Sequence, residues 1–253
     1  MPKYQSPALD KGLDILEYLS LNEAPQSQTE IATGINKMPN QIYRMLVCLE
    51  DRGYIDKDVV SGKFSLSLKL YYLSHCHSPI NAIRKAAFYP MQELSEFSGQ
   101  SCHLSILYKH SVLVIAQSLS SGPISLSVEE GGRFSLCGTT SGRLILSQFP
   151  QDERLILLNK TEDFVKMPEP KQQELLLDIV KISEDGYNIR SSETTRGVYD
   201  IAIPFNIPEI NITGTLAISV LSGESQKSIS NEKVLTKMKS TVIDIYKKIG
   251  VNK

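Results

Sequence analysis

Residues Gln26 to Leu66 constrain the fold more than any other stretch, because they read as two short helices around a tight turn, followed by a small β-hairpin. Gln28-Thr29-Glu30-Ile31-Ala32 opens a first helix, and Gly34-Ile35-Asn36-Lys37-Met38 breaks its periodicity. Pro39 to Glu50 starts a second helix with proline in its first turn, where the missing N–H costs nothing. Gly53 is placed to end it, since glycine takes the left-handed conformation cheaply. Tyr54-Ile55-Asp56-Lys57 and Phe64-Ser65-Leu66 read as strands, with Val59-Val60-Ser61-Gly62-Lys63 as the turn. A short helix, a turn and a second helix can seat the second helix in a DNA major groove.

The 253 residues allow two domains. A hydrophobic share of 41% and a charged share of 22% are those of an ordinary globular protein. No apolar run approaches the ~20 residues that span a bilayer, and Met1 to Ser6 lack a signal-peptide core. A cytoplasmic protein with no membrane partner is expected. The cysteines Cys48, Cys76, Cys102 and Cys137 are widely spaced and form no CxxC pair, so free buried thiols are expected, with Cys48 in the core of the second helix. His75-Cys76-His77 is a poor metal site, since neighbours at i and i+2 on a helix do not face each other. No metal or cofactor is expected.

The net charge of −1 offers no general attraction for nucleic acid, so the DNA reading rests on where the cations and amides sit. Asn40, Gln41, Tyr43 and Arg44 open the second helix, and Lys63 stands at the wing tip. Arginine can pair bidentately with guanine, and asparagine or glutamine with adenine. A solvated polar helix face accounts for the same residues, and Tyr43 can alternatively pack into the core.

Around this segment, Ala8 to Leu21 reads as an amphipathic helix with Leu9, Leu13, Leu16, Leu19 and Ile15 on its apolar side. Leu66 to Cys76 reads as helical, with Leu66, Leu70 and Leu73 on one face, and Ser78-Pro79 interrupts it. Ile80 to Phe97 resumes as a helix, with Pro90 as a kink or restart. The apolar residues of this connector fit a dimer contact.

Beyond Ser101 the periodicity changes. Cys102 to Tyr108 and Ser111 to Leu119 read as a hairpin around Lys109-His110, with Cys102 and His103 on opposite faces. Ile124 to Val128 alternates as a half-exposed strand should. Helices are expected over Thr140–Phe149, Asp152–Asn159, Glu169–Asp185 (closed by Gly186) and Ser230–Ile249 (with Ser230 as cap). Tyr187–Ser191, Val198–Phe205 and Ile212–Leu221 read as strands. This mixture predicts an α+β fold with a curved, mainly antiparallel sheet flanked by helices.

Four segments, in order, resemble the IclR-type transcriptional regulators: Leu9-Asp10-Lys11-Gly12-Leu13-Asp14-Ile15-Leu16; Ile42 to Ile55; Gly138-Thr139-Thr140-Ser141-Gly142-Arg143-Leu144-Ile145-Leu146; and Glu193 with Arg196-Gly197-Val198 and Ile201 to Phe205. Asn40-Gln41 stands where that family's recognition helix usually opens with a Ser-Thr pair, and Ser135 and Cys137 stand where it often has Pro and His. The resemblance implies a winged helix-turn-helix domain over 1–66, a helical linker over 67–98 and a GAF-like effector domain over 99–253. It further implies three partners. These are double-stranded DNA at a pseudo-palindromic operator, a small organic acid or aromatic metabolite as effector, and further copies of the chain in a dimer or tetramer.

In the second domain, Gly138, Thr139, Thr140, Ser141 and Gly142 form a small-residue turn into a helix, which suits an anion, or else is only a capped helix start. Cys137 stands beside it. Glu193, Gly197 and Asp200 fit a loop closing over a ligand, or a polar loop before a core strand. Ala202, Ala217 and Ser219 are small strand residues that leave room either for a ligand or for packed helices. Two other functions fit the chain: a protein-interaction adaptor with a winged-helix fold, and an enzyme using the C-terminal domain. The second lacks a G-x-S-x-G, an HExxH or a P-loop, so no enzyme is expected.

Overall fold

The computed structural model describes residues 6–76, 79–122, 125–193, 195–221 and 230–251, without the side chains of residues 75 and 76. The side chains of His75 and Cys76, together with His77, Ser78 and Ile124, therefore lie outside the described residues. The chain forms two units, Met1–Ser78 and Pro79–Lys253.

In the first unit, α1 (Pro7–Ser20), α2 (Gln28–Gly34) and α3 (Pro39–Asp51) precede a two-stranded antiparallel wing, β1 (Ile55–Lys57) and β2 (Phe64–Leu66), and α4 (Lys69–Cys76) follows. Helix α2 starts on a reciprocal cap: Glu30 N–H donates to Ser27 Oγ (3.3 Å) and Ser27 N–H to Glu30 Oε2 (2.6 Å). Its exit needs a left-handed residue, which Asn36 supplies at φ 55°. Gln28 Nε2 then donates to Pro39 O (2.8 Å), tying the start of α2 to the start of α3. Helix α3 ends as its glycine predicts. Gly53 sits at φ 71°, its N–H donates to Glu50 O (2.8 Å), and Tyr54 N–H reaches back to Leu49 O (2.8 Å). The core joins Ile15 and Leu19 of α1, Ile31 and Ala32 of α2, Ile42 and Leu46 of α3, and Ile55 and Phe64 of the wing.

Three expectations fail here. Leu9 and Leu13 are 60% and 47% exposed, because α1 buries the narrower line of Ile15 and Leu19. Cys48 is exposed, because the buried line of α3 runs through Ile42 and Leu46. Leu66 belongs to β2, so it shares no helical face with Leu70 and Leu73.

The second unit opens with α5 (Pro79–Ser98), followed by the hairpin β3 (Cys102–Tyr108) and β4 (Ser111–Ser118) and the short β5 (Arg133–Phe134). Four helices come next: α6 (Thr140–Ser147), α7 (Gln151–Leu158), α8 (Glu162–Val165) and α9 (Glu169–Asp185). Strands β6 (Asn188–Ser191), β7 (Val198–Ile207) and β8 (Ile212–Leu221) complete the sheet, and α10 (Asn231–Ile249) closes the unit. The sheet order is β5-β4-β3-β8-β7-β6, with every neighbouring pair antiparallel. The α+β class with an antiparallel sheet is as expected.

Period-two alternation gives the sheet two unlike faces. Cys102, Leu104, Ile106, Ile201, Ile203, Phe205, Leu216 and Ile218 form the apolar face, packed with Ile83, Ala87, Met91 and Leu94 of α5 and Met238, Val242 and Ile245 of α10. The residues between them, including His103, Ser105, Asp200, Ala202, Ala217 and Ser219, are smaller or polar and face α6.

The segment 67–98 is not one connector. Helix α4 falls in the first unit, whereas α5 buries its apolar side in the second unit's core and continues through Pro90 without restarting. Residues 125–128 form no strand, and the outer strand beside β4 is Arg133–Phe134. Ser230 occupies the cap position of α10, but its side chain makes no capping hydrogen bond. Among the described residues, no helix is long and apolar enough to cross a membrane, and no group of three or more His, Cys, Asp or Glu could hold a metal ion.

Candidate functional site

Helix α3 buries Ile42 and Leu46 and so turns Asn40, Tyr43, Arg44, Val47 and Cys48 outward along one stripe. Tyr43 is 57% exposed, which removes the alternative that it packs into the core. Arg44 is exposed and has no ion-pair partner among the described residues. Gln41 is differently committed: its Oε1 accepts from Met38 N–H (3.1 Å) and caps the start of α3. A methionine side chain has nothing to return, so this is half of a capping box. Lys63 Nζ lies 3.5 Å from Glu30 Oε2. The Ser27 N–H and hydroxyl, then Lys63, hold the Glu30 carboxyl below its usual range. That exposed pair is weak. The wing tip carries two valines, Val59 and Val60, each 97% exposed.

In the second unit, α6 begins over the polar face of the sheet. Thr139 caps it, its Oγ1 accepting from Gly142 N–H (3.0 Å) and donating to Ser135 O (2.8 Å). Thr140 Oγ1 then donates to Asp200 Oδ2 (3.1 Å), and Ser219 Oγ to Asp200 Oδ1 (2.7 Å). Above them is a cavity of about 230 Å³. Its polar wall is His103, Ser105, Thr140, Ser141, Asp200 and Ser219, and its apolar wall is Val112, Val114, Leu126, Val128, Phe134 and Val198, with Glu129, Ser192 and Thr195 also lining it. Ser105 Oγ and Thr215 Oγ1, opposite each other on β3 and β8, are fully buried and have no hydrogen-bond partner among the described residues. Burial pushes the His103 imidazole pKa down, and the Asp200 carboxylate opposes that shift.

Of the residues expected around an effector, Thr139, Thr140, Ser141, Asp200 and Ser219 meet at this cavity. The others do not. Gly138 and Glu193 line a smaller recess of about 30 Å³ shared with Arg190 and Asp200. Cys137 is buried among Leu136, Ile145 and Leu158, with its Sγ 3.9 Å from Thr161 Oγ1, and burial pushes its thiol pKa up. Gly142 is a packing glycine, since a Cβ there would lie 2.4 Å from Leu136 O. Ala202 and Ala217 are wholly buried with Leu144 and Ile182, making room for α6 and α9. Gly197 turns the loop before β7 at φ 75°.

Sequence reasoning put Cys102 and His103 on opposite faces but did not carry that alternation on to name His103 and Ser105 as cavity residues. It also missed the ion network beside the cavity. Arg143 donates to Asp178 (2.8 Å) and Glu193 (2.6 Å), and Arg190 donates to the same two carboxylates (2.8 and 2.9 Å). This network ties α6, α9 and β6 to the loop that carries Glu193.

The family model for the IclR helix-turn-helix domain matches residues 8–59, and the model for the bacterial transcriptional regulator IclR C-terminal domain matches residues 78–247. The glycerol operon regulatory protein of Streptomyces coelicolor is 24% identical over 225 residues, covering 86% of this chain and 88% of that protein. The transcriptional regulator KdgR of Escherichia coli is 28% identical over 180 residues, covering 70% and 68%. Among solved structures, an IclR homolog from Microbacterium hydrocarbonoxydans complexed with 4-hydroxybenzoate superposes with a TM-score of 0.78 at 16% identity, covering 96% of this chain and 99% of that one. The two matched domains together span most of the sequence, and the chain belongs to the IclR family of bacterial transcriptional regulators, with an N-terminal helix-turn-helix DNA-binding domain and a C-terminal effector-binding domain.

Proposed function

We propose that α3 and the β1–β2 wing bind double-stranded operator DNA, and that a small molecule seated in the second unit's cavity sets the affinity of that binding. Asn40, Tyr43 and Arg44 take the base contacts, with Arg44 suited to bidentate pairing with guanine. Lys63 takes a phosphate by leaving Glu30. Gln41 holds the helix start and offers the DNA only its amide Nε2.

The observation that carries the effector reading is the Ser105 hydroxyl, buried and unpaired among the described residues, at a cavity roofed by the first turn of α6. Buried hydroxyls are rarely left unpaired, and first-turn amides have no partner within their own helix. A single-ring molecule fits about 230 Å³, and the fold relative solved with 4-hydroxybenzoate supports an occupant of that size. His103, Ser105, Thr140, Ser141, Asp200 and Ser219 hold the effector. Cys137, Gly138, Gly142, Glu193, Gly197 and Ala202 shape its surroundings.

In this reading the protein works in the cytoplasm as a dimer or tetramer on a pseudo-palindromic site, because a two-fold protein reads a two-fold sequence. The segment from Lys69 to Ser98 is the covalent path between reader and sensor. The test is selection of bound duplexes from a random pool with the purified protein. A symmetric motif is expected, and its half-site spacing reports the dimer. Recovery of no motif, at low and moderate salt and with pooled metabolites added, would overturn the proposal.

A further inference from the structure

The effector cavity carries a charge pattern that narrows what it takes. Among the described residues, its lining holds two carboxylates, Asp200 and Glu129, and no lysine or arginine. Asp200 stands beside the first turn of α6. Its Oδ2 accepts from the Thr140 hydroxyl at the first residue of α6, and its Oδ1 accepts from Ser219. Arg190 faces Asp200 across the β6–β7 ladder, but its guanidinium donates to Asp178 and Glu193. Arg143 donates to the same two carboxylates, so those four groups sum to zero charge and Asp200 remains as a net negative charge beside the cavity.

The hydrogen-bonding capacity that remains is also defined. Thr140 and Ser219 spend their hydroxyl protons on Asp200, so all three groups present acceptors to an occupant. Ser105 lines the cavity and its buried hydroxyl has no partner among the described residues, and His103 lies two residues away on the same strand face. Opposite stands the apolar wall that includes Val112, Val114 and Phe134. A carboxylate placed here would meet the Asp200 charge without a compensating cation. At about 5 Å and an effective dielectric of ~20, the repulsion weakens binding on the order of a hundredfold. An uncharged molecule with a hydroxyl donor escapes that penalty and leaves its ring or chain for the valines.

We propose that the cavity selects an uncharged, hydroxyl-bearing molecule with an apolar flank, of the phenol or benzylic-alcohol class, over the corresponding carboxylate. The hydroxyl donates to Asp200, and Ser105 donates to an oxygen of the ligand. This rests on the effector reading of the same cavity.

The test uses the full chain and two matched pairs of probes, 4-hydroxybenzyl alcohol against 4-hydroxybenzoate and benzyl alcohol against benzoate, followed by thermal shift and calorimetry. The alcohols are expected to bind at least tenfold tighter than their acids. Asp200→Asn should narrow or reverse that ratio, and Ser105→Ala should weaken the alcohols about fivefold without changing it. Equal or tighter binding of the acids to the unmodified protein overturns the proposal, whether or not the variants fold. Binding of none of the four probes at tens of millimolar overturns it too. Neither failure touches DNA recognition, which the duplex selection decides separately.

Discussion

Arg44 and Gln41 stand three residues apart on α3, yet only Arg44 has all of its polar atoms uncommitted among the described residues. Arg44 is exposed without an ion-pair partner among the described residues, whereas Gln41 spends its carbonyl on the Met38 N–H. Arg44→Ala is therefore expected to cost about 1–3 kcal/mol of operator affinity and to relax specificity at one base position. Gln41→Ala is expected to cost helix stability of about 1 kcal/mol or less, with a smaller effect on specificity. Mobility-shift titrations against a panel of single-base operator variants separate the two. Residue type alone made both candidates, and the sequence contains nothing that says which amide is used up locally. Cys48 illustrates the same limit. Its neighbours are apolar, but the phase of the buried line through Ile42 and Leu46 turns it outward.

His103 yields a prediction with a defined pH window. Its pKa in the folded chain lies below the ordinary value of 6.5 because burial disfavours the imidazolium, despite the Asp200 carboxylate. Below pH 6.5 the unfolded chain accordingly takes up a proton that the folded chain refuses, so stability is complete above that pH and declines as the pH falls through it. His103→Gln should flatten the decline of the second unit's melting temperature between about pH 7 and pH 5. Glu30, and Asp58 in the wing turn, whose carboxylate accepts from the Ser61 hydroxyl and N–H, have lowered pKa values, so their contributions are present above their ordinary values of 4.5 and 3.8 and are lost only in more acidic solution. A melting temperature that fell just as steeply in the variant would sink the assignment.

At the scale of elements, the helix-turn-helix was readable because its punctuation is local. Ser27-x-x-Glu30, Pro39 and Gly53 each act within a turn of themselves, and the reciprocal cap, proline start and left-handed exit all stand where those residues require. The hairpin β3–β4 was legible for the same reason, from the turn at Lys109-His110 between two strand-like runs. Residues 125–128 alternate polar and apolar but form no strand, because a strand needs a ladder partner and Arg133–Phe134 takes the edge of β4. The cavity lies between these cases. Alternation separates His103 from Cys102, but only the packing of α5 and α10 on one face leaves the other for α6 and a ligand. Gly142 is the element-level contact that fixes the roof. A methyl group there would meet Leu136 backbone atoms at 2.4–2.7 Å, and neither the helix nor the Leu136 segment can yield cheaply. Gly142→Ala should destabilise the second unit by about 3 kcal/mol or more, read as a lowered urea midpoint with the wing domain's transition unchanged.

For the whole molecule, the two units have separate cores, and the chain between them was legible only as helical. The expected single linker failed because α5 carries Ile83, Ala87, Met91 and Leu94 on one side, and that stripe belongs to the sheet's apolar face. Periodicity announces that a stripe must be buried without naming what buries it. The same division sets the strongest test of regulation. If the effector changes operator affinity by a factor within the usual 5–150 range, linkage requires operator DNA to change effector affinity by the same factor. The prediction is that effector titrations of the free protein and of the protein saturated with its selected operator give dissociation constants whose ratio equals the effector's ratio on DNA binding. Asp200→Asn should alter effector affinity while leaving ligand-free operator affinity within about twofold, since Asp200 lies in the sensing unit and α3 in the other. A ratio of one in both titrations would mean that the effector acts on a state the operator does not distinguish. A large loss of ligand-free DNA binding in that variant would mean instead that the cavity supports the fold needed for recognition rather than reporting on a ligand.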